Sequence, residues 1–177
     1  NKECLLILGR ALLIAVAGAL LLIAFKTPLL KLSLLLIGTT PEVDAYVADY
    51  FNIRILAAPA TISLFAFTGW FFGMQNARIP MILTITVNLL NIGFSYWFVR
   101  VVGMKSDGVA LGTLIAQYCG LILALGFFYK NYRHMLPFWD RLGLFHIGKM
   151  KKFLIANSDI FIRTLCLMFV FSFFRVQ

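Results

Sequence analysis

Apolar residues fill five long stretches of the sequence, and charged residues gather in the gaps between them. A run of about 20 apolar residues is what a helix needs to cross a bilayer core of about 30 Å. The first span is drawn from Cys4 to Phe25, with Arg10 near its start expected to extend toward the head groups. Thr27-Pro28 is expected to end it, and Leu29 to Ile37 reads as a short continuation along the far surface. The second span, Tyr50 to Gly73, contains Pro59, which a membrane helix tolerates when neighbours satisfy the freed carbonyl. The third, residues 80–102, opens on Pro80, where the missing N–H costs little. The fourth runs from Gly108 to Tyr129, and the fifth from Phe153 to at least Phe174.

Polar residues inside these spans carry more information than the apolar ones. In the third span Thr84, Asn88, Asn91 and Ser95 stand at offsets of four, three and four, which keeps them on one face of a helix. Amides turned toward lipid go unsatisfied, so this row is expected to face protein or water. Two readings stay open: hydrogen-bonding glue between helices, or a solvated site for a cation or a substrate. Neutral amides and hydroxyls suit a hard cation, or a proton relay beside a carboxylate, but do not hold a charge alone.

The fourth span repeats small residues every four positions, at Gly108, Gly112, Ala116, Gly120 and Ala124, the pattern that lets two helix backbones approach closely. Thr113 and Gln117 lie elsewhere on that helix, four apart, and are candidates to bond across to the Asn row. The alternative for Thr113 is a hydroxyl bonded back to its own helix. Asp159 and Arg163, four apart at the start of the fifth span, are in the favourable order for a helical ion pair, with a part in ion coupling as the alternative. Arg54 reads as an interfacial anchor.

Composition fixes the class. Of 177 residues 62% are hydrophobic and 13% charged, against about 45–50% and 25% in soluble domains. The chain is expected to be an all-α polytopic membrane protein. A net charge of +9 would suggest nucleic acid in a soluble domain. Here the bases sit in loops, so topogenic bias explains them and no nucleic-acid partner is expected.

The loop from Lys130 to Lys152 carries Lys130, Arg133, Arg141, Lys149, Lys151 and Lys152 against Asp140, and is assigned to the cytoplasm. The loop from Gly38 to Asp49 carries Glu42, Asp44 and Asp49 and no base, and is assigned to the opposite side, together with the loop Met104 to Asp107. The N-terminus and the turn Gln75 to Arg78 then fall in the cytoplasm. The basic loop, residues 131–152, divides a four-helix unit, residues 1–130, from the first helix of a second unit, residues 153–177. With no initiator Met and a stop soon after an apolar run, the chain reads as part of a larger transporter.

Cys4, Cys119 and Cys166 stand singly, without metal or disulfide spacing. No nucleophile lies beside a base and no glycine loop suits a phosphate, so no catalytic residue, metal or cofactor is expected.

The runs Arg54-Ile-Leu-Ala-Ala-Pro59, Gly69-Trp-Phe-Phe-Gly-Met-Gln-Asn-Ala-Arg-Ile-Pro80, Asn88-Leu-Leu-Asn-Ile92 and Gly108-Val-Ala-Leu-Gly-Thr113 occur in this order. Together they resemble the MATE family of multidrug and toxic compound extrusion transporters. Asp159-Ile-Phe-Ile-Arg-Thr164 is similar to its DinF-like branch. The resemblance implies helices three to seven of twelve: most of an N-terminal six-helix lobe, the inter-lobe loop and the start of the C-terminal lobe. It implies export of organic cations and amphipathic compounds by proton or sodium antiport from a bacterial inner membrane, with the rest of the same chain and membrane lipid as partners.

On that resemblance Asn91 matches an Asn of the family's fifth-helix cation site and Thr113 a Thr of its sixth helix. Ser95 stands where the family has an Asp, a group that titrates where a hydroxyl does not. Asn88, Asn91, Ser95, Thr113 and Gln117 are the expected cavity lining. The rival readings are a lipid-linked precursor flippase of similar architecture, a membrane-embedded enzyme, and a scaffold in which the row is only glue.

Overall fold

The computed structural model describes residues 2–37, 41–138 and 148. Most of the basic loop and the whole of the fifth expected span lie outside the described residues. Asn1–Phe138 forms one compact unit. Its helices are α1 Lys2–Ala24, α2 Lys26–Ile37, α3 Pro41–Ile55, α4 Ala58–Gly73, α5 Arg78–Tyr96 and α6 Ser106–Tyr132, and the described residues contain no strand. A π-helical turn, Trp97–Val101, extends α5, and a 3-10 turn, Arg133–Phe138, closes α6. Three helical stretches, Glu3–Ala24, Arg78–Val101 and Ser106–Pro137, are long and apolar enough to cross a membrane, and the α3–α4 pair makes a fourth if taken as one bent span.

Two expectations from the sequence need correcting. The first span ends at Ala24, close to its expected end, but the short continuation starts at Lys26, before Thr27-Pro28, and not at Leu29. The Phe25 N–H donates to the Leu21 carbonyl at 2.9 Å and the Leu29 N–H to the Phe25 carbonyl at 3.1 Å, so bonding runs on into α2. Pro28 falls in the first turn of α2, where its missing donor costs nothing. The acidic segment read as a loop is largely helix, because α3 begins at Pro41. Asp44 sits near its start, where negative charge complements the helix dipole.

The second span is two helices, α3 and α4, meeting at 50°. Pro59, in the first turn of α4, has no N–H to give to Ile55. Around it the chain tightens, with Leu56 N–H to the Ile53 carbonyl and Ala57 N–H to the Arg54 carbonyl, both at 3.1 Å. Tyr118 of α6 donates its hydroxyl to the Leu56 carbonyl at 3.1 Å. A break at Pro59 thus has an identified donor from a neighbouring helix, as a kink in an apolar medium requires.

Helix α6 is the hub, packing on α3, α4 and α5, while α1 packs on α4. Gly108, Gly112, Ala116, Gly120 and Ala124 are all buried, so the small-residue row is a packing surface. A methyl group on Gly112 would lie 2.7 Å from the Ser95 backbone nitrogen, and one on Gly120 would strike the Val87 side chain. At one end an aromatic cluster of Phe67, Trp70, Phe71, Phe128 and Tyr132 fills the core, with Trp70 and Tyr132 ring centroids 4.9 Å apart. The Trp70 indole N–H donates to the Cys4 carbonyl at 2.8 Å, fastening α4 to α1.

Arg10 departs from its expected place. It is 3% exposed, so its side chain is folded into the unit and does not extend to the surface.

The loops sort into two ends. At one, Lys105 donates through Nζ to the Tyr46 hydroxyl at 2.8 Å, and the Ser106 hydroxyl donates to the Tyr46 carbonyl at 3.3 Å. The hydrogen bond to Tyr46 holds the Lys105 ammonium above its ordinary pKa. At the other end, Asn76 in the α4–α5 turn donates to the Tyr132 hydroxyl at 3.3 Å. Met104–Asp107 and the start of α3 therefore share one end, and the Gln75–Arg78 turn and the end of α6 the other.

Candidate functional site

Helix α5 positions its polar row by the 3.6-residue turn alone, and α6 then selects which members of the row it touches. Gly112 is the reason for the close approach, since its bare Cα leaves room for the backbone at Ser95. There three side chains join across the seam. The Ser95 hydroxyl donates to the Asn91 Oδ1 at 3.2 Å, and Asn91 Nδ2 donates to the Thr113 Oγ1 at 3.2 Å. The Thr113 hydroxyl in turn donates to the Val109 carbonyl at 2.9 Å. Thr113 thus does both things the sequence left open: it bonds back to its own helix and receives Asn91.

This chain of bonds is neutral and runs in one direction, ending on a backbone carbonyl. Thr113 is buried, while Asn91 and Ser95 are half-buried. Asn91 keeps one amide hydrogen and one carbonyl lone pair beyond these bonds, and Ser95 keeps its own lone pairs. Such a cluster can solvate a cation or a polar ligand group, but it cannot change charge near neutral pH. Two residues after Ser95 the backbone widens into the π-helical turn, where the Val102 N–H reaches back to the Trp97 carbonyl at 3.2 Å. A π turn is a local departure from the helix often found beside functional sites.

The other expected members stand apart from the cluster. Asn88 and Thr84 are exposed on α5 and Gln117 is half-buried on α6. Asn88 and Gln117 make no side-chain hydrogen bond among the described residues. Asp159 and Arg163 lie outside the described residues. Among the described residues no group of three or more His, Cys, Asp or Glu gathers as a metal site. The pairing of Gly112 with Ser95 has no signal in the spacing of either helix, although Ser95 belongs to the polar row and Gly112 to the small-residue row. Sequence reasoning also missed Tyr118 as the donor at the kink, because a lone Tyr gives no periodic signal.

Apolar helices of spanning length, a proline-broken helix and a neutral polar cluster between two spans define an integral, multi-pass, all-α membrane protein. The family model described as MatE matches residues 3–97, and the chain belongs to that family. It is 32% identical over 165 residues to "DNA damage-inducible protein F" of Escherichia coli (strain K12), a match covering 93% of this chain and 36% of the relative. It is 27% identical over 109 residues to "Protein DETOXIFICATION 43" of Arabidopsis thaliana, covering 62% of this chain and 21% of that protein. The chain therefore spans only about a third or less of the length of these relatives. No solved structure matches it.

Proposed function

We propose that this chain is most of the N-terminal lobe, and the start of the C-terminal lobe, of a twelve-helix secondary transporter. That transporter exports organic cations or amphipathic toxicants from a bacterial inner membrane in exchange for protons or sodium ions. Membership of the MatE family supports the transporter class over an enzyme. The observation that carries the site is the Ser95–Asn91–Thr113 chain across the α5–α6 seam.

In this reading Asn91, Ser95 and Thr113 form the polar floor of the N-lobe cavity, and Asn88 and Gln117 extend it along the two helices. The lobes rock about that cavity, and ion binding changes which side is open because the ion binds the two states unequally. Since Ser95 cannot ionise near neutral pH, the charge-changing group for proton coupling lies on another helix of the full protein. The bases of residues 130–152 support a cytoplasmic position for that loop.

Ethidium efflux from cells expressing the full-length protein tests the proposal. The parent is expected to lower retained dye, and Asn91→Ala to lose most of that effect at unchanged expression. No efflux by the parent would refute the function, and full efflux by Asn91→Ala would refute the site.

A further inference from the structure

A groove of about 400 Å³ lies where α1 and α2 face the bend between α3 and α4. Its walls are mostly apolar, with Leu22, Leu29, Phe51 and Ile62 among them, and Arg54 and Thr61 supply polar groups. Ser33 also lines it, but its hydroxyl already donates to the Leu29 carbonyl at 2.9 Å. Arg54 is half-buried beside the kink and makes no side-chain hydrogen bond or ion pair with any described residue. The Thr61 oxygen is buried and has no hydrogen-bond partner among the described residues. A guanidinium partly withdrawn from water against apolar walls is stabilised by an anion, and a buried hydroxyl by a polar partner.

We propose that this groove binds an anionic phospholipid, its phosphate on Arg54 and its acyl chain along Leu22, Leu29 and Ile62. The charge selects an anion, and the apolar walls select one that carries a hydrocarbon chain. A groove of this volume takes the head group and the first part of the chain, and the rest continues into the bilayer. Arg suits the role because its planar fork presents paired donors to phosphate oxygens. The kink made by Pro59 turns α4 away from the line of α3 beside this groove, so the feature that breaks the span also shapes the site.

Lipids with brominated acyl chains test the site in the full-length protein held in bilayer nanodiscs. Phe51→Trp places a reporter in the groove, and subtracting the parent's fluorescence isolates its signal. At equal mole fraction, brominated phosphatidylglycerol is expected to bind about fivefold more favourably at the reporter than brominated phosphatidylcholine, the effect of one basic residue on an anionic lipid. Arg54→Gln is expected to bring the two lipids level, and Arg54→Lys to keep most of the preference.

Equal quenching of the Phe51→Trp reporter by the two lipids would overturn the proposal. So would quenching by neither lipid, which would mean that another part of the transporter covers the groove. Loss of the preference on adding inorganic phosphate would assign the site to a free anion and overturn the lipid. The preference of the Phe51→Trp reporter with Arg54 intact decides the matter even if Arg54→Gln fails to assemble.

Discussion

At the scale of single residues, the seam rests on the Asn91 amide and the Thr113 hydroxyl, 3.2 Å apart. Hydrogen bonds between membrane helices are modest, because partners are available in the unfolded state too. A double-mutant cycle with Asn91→Leu and Thr113→Val is expected to give a coupling of about 0.6–1.7 kcal/mol in detergent unfolding. A coupling of zero would mean that the bond does not persist in the protein. Thr113 by itself is a poor guide to the pair, since its own hydrogen stays on the Val109 carbonyl whatever Asn91 does.

At the scale of helices, close approach of α5 and α6 depends on glycine at particular positions. Gly112→Ala brings a methyl group within 2.8 Å of the Ser95 hydroxyl and 2.7 Å of its backbone nitrogen. Backbone cannot rotate aside, so the helices must part, at about 1–3 kcal/mol. Gly126, on the same helix, meets nothing within 4 Å. Gly126→Ala is therefore expected to stay within about 1 kcal/mol of the parent. Equal losses for the two variants, read by the same unfolding assay, would remove the packing argument.

Much of this element scale was legible beforehand. The four-residue spacing of small residues identified the face of α6 that is buried, and apolar length located the stretches able to span. What the sequence did not reveal was register. Four polar residues share a face of α5, yet Asn91 and Ser95 join the bonded cluster at α6 while Thr84 and Asn88 stay exposed, because which neighbour covers which turn is decided by tertiary packing. Charge counting misled at α3, where the same acids that suggest a loop also favour a helix N-terminus. Pro28 and Pro59 both lie in the first turn of a helix, and Pro59 stands at the 50° bend of the second span. Arg10 shows the limit of reading a charge from its place in a span, since a long apolar stem can be packed inward as readily as outward.

At the scale of the whole molecule, the exposed side of α5 carries Thr84 and Asn88 beside Ile85, Leu89 and Ile92. This mixed face suits neither lipid alone nor a dry core, and in the proposed transporter it looks into the hydrated cavity between lobes. The measurement that tests this most directly is labelling by a water-borne, membrane-impermeant maleimide. It is applied to the full-length protein in membranes, with every native cysteine, Cys4, Cys119 and Cys166 among them, replaced by alanine. Asn88→Cys and Ser95→Cys are expected to react and to be slowed by ethidium, while Leu83→Cys, in the core at 1% exposure, stays unlabelled. If positions 88 and 95 prove as unreactive as position 83 whichever way the transporter is open, the polar row is glue and the cavity lies elsewhere.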